Sequence, residues 1–157
     1  MKRAWRFVFC LSLLACSRQP APAQTSPDGD ARMEAAFEQA RATLDLFIEK
    51  IETPHPDRTL VAVKTRFFPP GEPSQDLWVD QVTYADGSFV GTMGDDIPSL
   101  RLSLGDKVTV EREEVLDWAI VEEEKLVGGY TIRLAVERMS PEEKERFLET
   151  LPYAIED

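Results

Sequence analysis

The chain has almost none of the side chains on which most catalytic and metal chemistry depends. Its 157 residues include two cysteines, Cys10 and Cys16, and one histidine, His55. A zinc site needs several His or Cys ligands, which one histidine cannot supply. His55 lies between two prolines, and the sequence has no Gly-x-Ser-x-Gly elbow for a serine nucleophile. We therefore expect no catalytic residue, metal or cofactor, and we interpret His55 as an exposed loop residue.

Loops that bind phosphate or calcium are also missing from the sequence. Gly128-Gly129 lacks the further spaced glycines of a phosphate-cradling or dinucleotide-binding loop. Asp95-Asp96 and Glu122-Glu123-Glu124 do not have the spacing of a calcium-binding loop. We interpret both acidic runs as solvated turns.

Positive charge is scarce. There are 29 acidic residues against 18 Lys and Arg, and the formal net charge is −11 at pH 7. Loss of Lys2, Arg3 and Arg6, which precede the first acidic residue, would take this charge to −14. Such a domain is repelled by nucleic-acid phosphates and anionic lipid head groups, so neither is an expected partner. The charge either only keeps the domain soluble or selects a cationic protein or peptide partner.

What the N-terminus does contain is the pattern of an export signal. A basic start precedes the apolar run Phe7–Ala15, which is too short to cross a hydrocarbon core of about 30 Å. Leu13-Leu14-Ala15-Cys16 resembles a bacterial lipobox. We expect residues 1–15 to be removed as a lipoprotein signal peptide. Acyl chains such as palmitate on Cys16 would then anchor the protein to a membrane of the bacterial envelope, facing the periplasm. The alternative is cleavage after Ala21-Pro22-Ala23, which releases a soluble periplasmic protein.

Composition separates a tether from a folded domain. Residues 16–30 contain Pro20, Pro22 and Pro27 among small and polar residues, with no apolar periodicity. Such a segment cannot bury enough surface to offset its ordering entropy, so we expect a flexible tether. Residues 31–157 are long enough for a single domain with one core.

Hydrophobic spacing predicts helices near both ends of this domain. Arg32–Ile51 has apolar residues every three or four positions, with Asp30 as its N-cap, and the prolines of Thr53–Pro56 end it. Ser140–Glu143 has the serine, proline and glutamate of a capping-box helix start. Leu126–Met139 fits a strand and a helix, and we favour a helix.

Alternating apolar residues predict a curled antiparallel sheet of about five strands. The predicted strands are Thr59–Phe68, Leu77–Tyr84, Ser88–Met93, Lys107–Arg112 and Glu113–Glu122. Asp86-Gly87 predicts a two-residue hairpin turn between the second and third strands. Strict alternation in the second strand would put Trp78, Asp80, Val82 and Tyr84 on one side. The predicted fold class is α+β, with a long N-terminal helix packed on the sheet and a C-terminal helix.

Short blocks spread along the chain resemble the bacterial YegJ-like family, a domain of unknown function. The blocks are Ala62–Phe67, Leu77–Val79, Tyr84–Phe89, Leu104–Val108, Asp117–Ile120 and Leu126–Arg133. The resemblance covers about residues 35–147, so the signal and the tether lie outside it. It implies one compact domain with an uncharacterised role, and it places the family signature at the tryptophans and at Gly128–Arg133.

Six residues form the candidate binding face. They are Trp78, Trp118, Gly128, Gly129, Tyr130 and Arg133. Aromatic rings make low-entropy binding surfaces, and Arg133 would hold a carboxylate at the edge of a groove. The alternative is that the aromatic residues belong to the core and that Arg133 pairs with an internal acid.

From the export signal and the scarcity of catalytic side chains, we expect a membrane-tethered, non-catalytic binding or accessory domain of the bacterial envelope. Two alternatives stay open. One is an envelope hydrolase that uses carboxylates, and the other is a protective protein that binds one protein partner.

Overall fold

In the computed structural model, residues 27–156 are described, and the predicted signal peptide, Cys16 and residues 17–26 lie outside them. The helices are α1 Pro27–Ala42, α2 Leu44–Glu52, α3 Tyr130–Glu137 and α4 Pro141–Thr150. The strands are β1 Arg58–Phe67, β2 Gln75–Ala85, β3 Ser88–Met93, β4 Lys107–Glu111, β5 Val115–Glu122 and β6 Lys125–Gly128. Short 3₁₀ turns occur at Pro98–Leu100 and Arg112–Glu114.

The strands form one antiparallel sheet in the order β4-β3-β2-β1-β5-β6. The predicted α+β class is confirmed, with one strand more than expected. Leu126–Met139 contains the end of β6 and then α3, because Gly128 and Gly129 both take positive φ and turn the chain out of the sheet. The predicted strand Glu113–Glu122 begins instead with a 3₁₀ turn, which a capping box between Glu111 and Glu114 stabilises.

The predicted N-terminal helix is interrupted at Thr43, so a single helix over Arg32–Ile51 is wrong. Thr43 has φ −108° and ψ 10°, and its hydroxyl donates to the Gln39 carbonyl at 2.9 Å. A threonine hydroxyl that bonds the preceding turn competes with the backbone for helical hydrogen bonds. Asp30 lies inside α1 and is not its cap, because α1 begins at Pro27.

The core lies between the two N-terminal helices and one face of the sheet, here called the inner face. Its buried residues are Ala40, Leu44, Phe47, Val63, Val79, Val82, Phe89, Met93, Val110, Val115, Trp118 and Ile120. The Phe47 ring stacks on Trp118 with centroids 5.1 Å apart and lies 5.5 Å from Phe89. Aromatic packing of this kind adds to the stability gained by burying apolar surface.

The opposite, outer face of the sheet is only partly covered. A second cluster packs on β1, β5 and β6. It consists of Ala119, Val121 and Leu126 with the partly buried Leu60, Trp78, Ile132, Tyr153 and Ile155. Farther across the sheet, Thr83 on β2, Val90 on β3 and Thr109 on β4 are exposed. This half of the outer face is therefore open to solvent.

A bulge at Gln81 divides β2 into two parts with opposite side-chain alternation. Gln81 has φ +54°, and the register with β3 shifts there. Trp78 therefore packs with the outer cluster, whereas Val82 and Tyr84 pack in the core. The expectation that these three residues share one side is wrong, because one extra residue inverts the alternation.

Candidate functional site

The structure brings five of the six predicted binding-face residues together where β5, β6 and α3 meet. These five are Trp118, Gly128, Gly129, Tyr130 and Arg133. Trp78 lies on the other side of the sheet, because it packs in the outer cluster and Trp118 packs in the core. The six residues do not form one continuous surface.

Trp118 is a core residue that is 1% exposed. Its ring stacks on Phe47 and meets the edge of Tyr130 at 6.1 Å between centroids. The indole Nε1–H donates to the Ala40 carbonyl and to the Thr43 hydroxyl, each at 3.1 Å. This placement corresponds to the core alternative that the sequence left open for Trp118.

Tyr130 and Arg133 line a groove of about 280 Å³ between α1 and α3. The Tyr130 hydroxyl lies 2.9 Å from the Thr43 hydroxyl and is therefore already hydrogen-bonded. The Arg133 guanidinium donates to the carbonyls of Gly128 at 2.9 Å and Leu126 at 2.8 Å, and also to that of Glu156. Arg133 thus holds backbone carbonyls, which neither sequence interpretation anticipated.

The two glycines allow the backbone to pass close to the core. Gly128 has φ +73°, and a Cβ atom there would lie 2.5 Å from the Trp118 ring. Gly129 has φ +64°, and a Cβ atom there would lie 2.8 Å from Leu126 Cδ2. The Gly129 N–H donates to the Trp118 carbonyl at 2.7 Å. Positive φ and close approach together require glycine here.

Asp117 is a buried polar residue that the sequence analysis did not single out. Its side chain is 0% exposed, and its carboxylate accepts hydrogen bonds from the backbone of Trp118, Tyr130 and Thr131 and from the Thr131 hydroxyl. Because the N-cap Gly129 has no side chain, Asp117 caps α3 from the neighbouring strand. Burial raises the pKa of the Asp117 carboxyl, and the hydrogen bonds act in the opposite direction.

Lys64 lies beside Asp117 and Trp78 in the middle of the sheet. It stands opposite Trp78 in the β1–β2 register and opposite Asp117 in the β1–β5 register. Its ammonium donates to the Thr131 hydroxyl at 3.2 Å and lies 5.5 Å from the Trp78 ring centroid, within cation–π range. Burial lowers the pKa of Lys64, against the attraction of Asp117 and Asp76. Lys64 therefore links the start of α3 to Trp78.

Trp78 also lines a cavity of about 210 Å³ at one end of β2 and β3. We call it the Trp78 pocket; its lining residues are Asp76, Leu77, Trp78, Asp80, Met93, Gly94, Asp95 and Ile97. A Cβ atom at Gly94 would lie 2.6 Å from Asp80 Oδ2, so glycine leaves the space that the Asp80 carboxylate occupies. The pocket combines an aromatic side chain with three carboxylates, those of Asp76, Asp80 and Asp95.

Two of the three acids of the Trp78 pocket, Asp80 and Asp95, have no cationic partner within the described chain. No Lys or Arg among residues 27–156 forms an ion pair with Asp80 or Asp95, whereas Arg66 holds the adjacent Asp76 at 2.6 and 2.9 Å. Burial raises the pKa of Asp80, and the negative charge of Asp95 raises it further. Lys64 already lies within cation–π range of the partly buried Trp78 ring, so the carboxylates of Asp80 and Asp95 are the groups that would attract an added organic cation.

The family of the chain is shown by comparison with known proteins. A family model described as "Uncharacterized protein conserved in bacteria (DUF2314)" matches residues 30–153. The chain belongs to this family. Uncharacterized protein YegJ of Escherichia coli (strain K12) is 31% identical over 102 residues, which are 64% of this chain and 64% of YegJ. The chain thus spans less than two thirds of the length of this curated relative. No solved structure matches.

The predicted resemblance to the YegJ-like family is therefore confirmed, and the DUF2314 match extends beyond residues 35–147 at both ends. The β5–α3 junction and the Trp78 pocket both lie within the matched residues. Among residues 27–156, no helix is long and apolar enough to cross a membrane.

The acidic runs of the DUF2314 domain have structural contacts, so the interpretation of Glu122 as part of a solvated turn is wrong. Glu122 binds Lys50 at 2.8 Å and Arg58 at 2.7 Å, joining the end of α2 to β1 and β5. Burial opposes ionisation, but these two cations hold the pKa of Glu122 below its usual range. Asp96 accepts a hydrogen bond from the Leu104 N–H at 2.8 Å. In the described part of the chain, no group of three or more His, Cys, Asp or Glu residues is arranged to hold a metal ion.

Proposed function

We propose that this DUF2314 chain is a lipid-anchored protein of the bacterial envelope, with a non-catalytic domain that binds a cationic protein or peptide. The lipid anchor is attached to Cys16, and the domain faces the periplasm. The Trp78 pocket receives a Lys or Arg side chain of the partner.

The anchoring part is supported by the residues before the domain. Leu13–Cys16 resembles a lipobox, and the sequence contains no cysteine after Cys16. Each buried methylene of a lipid contributes about 0.8 kcal/mol, so several acyl chains would hold the protein firmly at a membrane. Residues 17–26 separate Cys16 from α1, and ten residues span at most about 35 Å. The domain would therefore work close to the membrane surface.

The binding part is carried by one observation: Asp80 and Asp95 line the pocket beside Trp78, and neither has an ion-pair partner among residues 27–156. A partner's Lys or Arg would supply the missing charge and relieve the repulsion between the two carboxylates. The pocket of about 210 Å³ is smaller than the roughly 300–1,000 Å³ usual for small-molecule sites, and it suits a single side chain of a larger partner. The negative charge of the whole chain favours the same class of partner.

The groove at Tyr130 and Arg133 supports a binding role less well. The Tyr130 hydroxyl is hydrogen-bonded to Thr43, and the Arg133 guanidinium is occupied by three backbone carbonyls. A ligand there would have to replace bonds that hold α3 in place. In the Trp78 pocket, by contrast, Asp80 and Asp95 have no ion-pair partner in the described part of the chain.

The anchor is tested by metabolic fatty-acid labelling of the full chain. Wild type and Cys10→Ala should incorporate label and fractionate with membranes, whereas Cys16→Ala should lose both properties. Cys10→Ala is the matched control, because Cys10 lies inside the segment expected to be removed. Unlabelled, soluble wild type would contradict the anchor and favour cleavage after Ala23.

The partner is tested by cross-linking in intact cells, followed by mass spectrometry. A partner cross-linked to the wild type should be recovered with Asp86→Asn, a neutralised acid in the β2–β3 hairpin turn, and lost with Asp80→Asn. Recovery of the same partner with Asp80→Asn would contradict recognition at the Trp78 pocket.

A further inference from the structure

The two edges of the sheet differ in how they are covered. The β6 edge is joined by the chain's own C-terminal segment, because the Leu126 N–H donates to the Ala154 carbonyl at 2.9 Å and the Ala154 N–H donates to the Glu124 carbonyl at 2.7 Å. At the other edge, β4 pairs with β3 alone within residues 27–156. The outer side of an edge strand presents backbone groups that can pair with another strand.

Strand alternation identifies the backbone groups on the open side of β4. The Asp106 carbonyl accepts a hydrogen bond from the Met93 N–H at 2.9 Å, so Asp106 directs its backbone toward β3. In an antiparallel pair every second residue directs its backbone to the opposite side. The outward residues of β4 are Lys107, Thr109 and Glu111. The Glu111 N–H is already bonded to the Glu114 carboxylate at 3.2 Å, so the other outward groups are the ones open to pairing.

The sequence of β4 is complementary to itself. When Lys107-Val108-Thr109-Val110-Glu111 is paired antiparallel with a second copy about Thr109, the two Thr109 residues face each other. Each Val108 then faces a Val110, and each Lys107 faces a Glu111. Opposite charges, threonine pairs and β-branched pairs are all favourable across antiparallel strands.

The charges at the two ends of β4 are available for this pairing. Lys107 and Glu111 are both exposed, and neither belongs to an ion pair among residues 27–156. The Glu111 carboxylate accepts a hydrogen bond from the Ser88 hydroxyl at 2.8 Å, which leaves its charge unneutralised. Thr109 lies between them and is also exposed.

We propose that the domain self-associates through β4, which pairs with β4 of a second copy about a twofold axis at Thr109. The two sheets join into one continuous antiparallel sheet, and the same strand forms both sides of the interface. Because this axis is perpendicular to the sheet, the outer faces of both copies lie on the same side. The inference does not depend on the proposed binding function.

A register-specific disulfide tests the pairing directly. Directly opposed, hydrogen-bonded residues in antiparallel strands have Cα atoms about 5.5 Å apart, within the range that a disulfide bridges. The full chain carrying Thr109→Cys should form a disulfide-linked dimer in a glutathione redox buffer. Thr83→Cys is the matched control, because Thr83 is exposed on β2 away from this edge, and it should give no more dimer than the wild-type chain. Equal dimer from both variants would overturn the proposal.

Charge exchange tests which residues face each other. In the Thr109→Cys chain, Lys107→Glu or Glu111→Lys alone puts like charges at both ends of the paired strands and should reduce dimer yield about tenfold. A mixture of the two differently tagged variants has opposite charges at both ends and should recover the mixed dimer. Unchanged yield in the single variants, or no recovery in the mixture, would overturn the pairing.

Glu111→Lys could reduce dimer yield by disturbing the turn that Glu111 caps, so a second variant tests the pairing without changing Glu111. Thr109→Pro removes one outward N–H and leaves the bonds between β4 and β3 in place. Sedimentation of the full chain in neutral detergent should show self-association for wild type and its loss for Thr109→Pro, with circular dichroism unchanged. A wild-type chain that stays monomeric, or a Thr109→Pro chain that associates like wild type, would overturn the proposal.

Discussion

The indole of Trp118 donates a hydrogen bond to the hydroxyl of Thr43 at 3.1 Å, joining β5 to the break between α1 and α2. The same hydroxyl donates to the Gln39 carbonyl at 2.9 Å and lies 2.9 Å from the Tyr130 hydroxyl at the start of α3. One small polar side chain therefore connects the helix break, the largest core residue and the third helix. Buried polar networks that are fully satisfied contribute to a unique packing.

We expect Thr43→Val to lower the free energy of unfolding by about 1–3 kcal/mol. The change keeps the side-chain shape but removes the hydroxyl that binds Trp118 and Tyr130. Urea denaturation measures the effect. Thr53→Val is the control, because the exposed Thr53 hydroxyl bonds only the Glu49 carbonyl of its own helix, and it should change stability by less than about 0.5 kcal/mol. Equal losses in both variants would contradict the special role of Thr43.

Gly128→Ala should be much more destabilising than Gly87→Ala. Both glycines have positive φ, +73° and +88°, so both substitutions introduce backbone strain of about 1 kcal/mol. A Cβ atom at Gly128 would also lie 2.5 Å from the Trp118 ring, whereas nothing lies within 4 Å at Gly87. The clash should add about 1–3 kcal/mol, again measured by urea denaturation. Similar losses at the two positions would show that close packing does not explain Gly128.

Local turn and cap chemistry is the part of the fold that the sequence predicted best. Asp86-Gly87 forms the expected hairpin turn, with φ +52° and +88°. Ser140 accepts a hydrogen bond from the Glu143 N–H, and the Glu143 carboxylate accepts one from the Ser140 N–H at 2.9 Å. These features depend on residues a few positions apart, so a short stretch of sequence contains the whole interaction.

Features imposed by distant residues were not predictable in the same way. The apolar spacing of Ala40, Leu44 and Phe47 continues across Thr43, because both helices bury the same side in one core. The apolar alternation of β2 likewise continues through Gln81, although the bulge there reverses which face of the sheet the following side chains occupy. In each case the deciding contacts come from another part of the chain.

Asp117 is the site residue that the sequence could have indicated. It is the one charged residue in the run 115–121, in which Leu116 is partly buried and the others are buried. An acid in a strand buried on both sides must find hydrogen-bond donors. Its partner could not be predicted, because the donors come from the start of α3, a segment whose secondary structure was ambiguous in sequence.

The ion pairs of Glu122 should make the free energy of unfolding decrease as the pH is lowered. Its pKa is lowered in the folded state, so the stability it contributes is present above the unfolded value of about 4.5 and is lost as the pH falls through the folded value. Glu122→Gln should therefore lower the free energy of unfolding by about 1–2 kcal/mol at pH 7. Below pH 4.5 the difference in stability between this variant and the wild type should become progressively smaller. Denaturant unfolding across this pH range measures the difference.

The control for Glu122 is Glu123→Gln. Glu123 is exposed and lies 3.9 Å from His55 Nε2, a distance at which a solvated pair contributes little. Its substitution should leave stability nearly unchanged at pH 7. A pH-independent loss for Glu122→Gln would contradict the ion-pair explanation.

Recognition of a cation by the Trp78 pocket should depend on pH. Burial and the charge of Asp95 raise the pKa of Asp80 above 3.8 in the free domain. A bound cation favours the ionised carboxylate, so binding should weaken as the pH falls through this raised pKa. A ligand held only by contact with the Trp78 ring would show no such dependence.

The most direct measurement is an NMR titration of the full chain with arginine amide, followed at the Trp78 indole N–H signal. Citrulline amide, which has a similar shape and the same α-ammonium group but lacks the guanidinium charge, is the ligand control. We expect saturable binding of the arginine ligand, weakened about tenfold or about 1.4 kcal/mol by Asp80→Asn, and unchanged by Asp86→Asn. Equal binding of citrulline amide, or undiminished binding by Asp80→Asn, would contradict the proposed function.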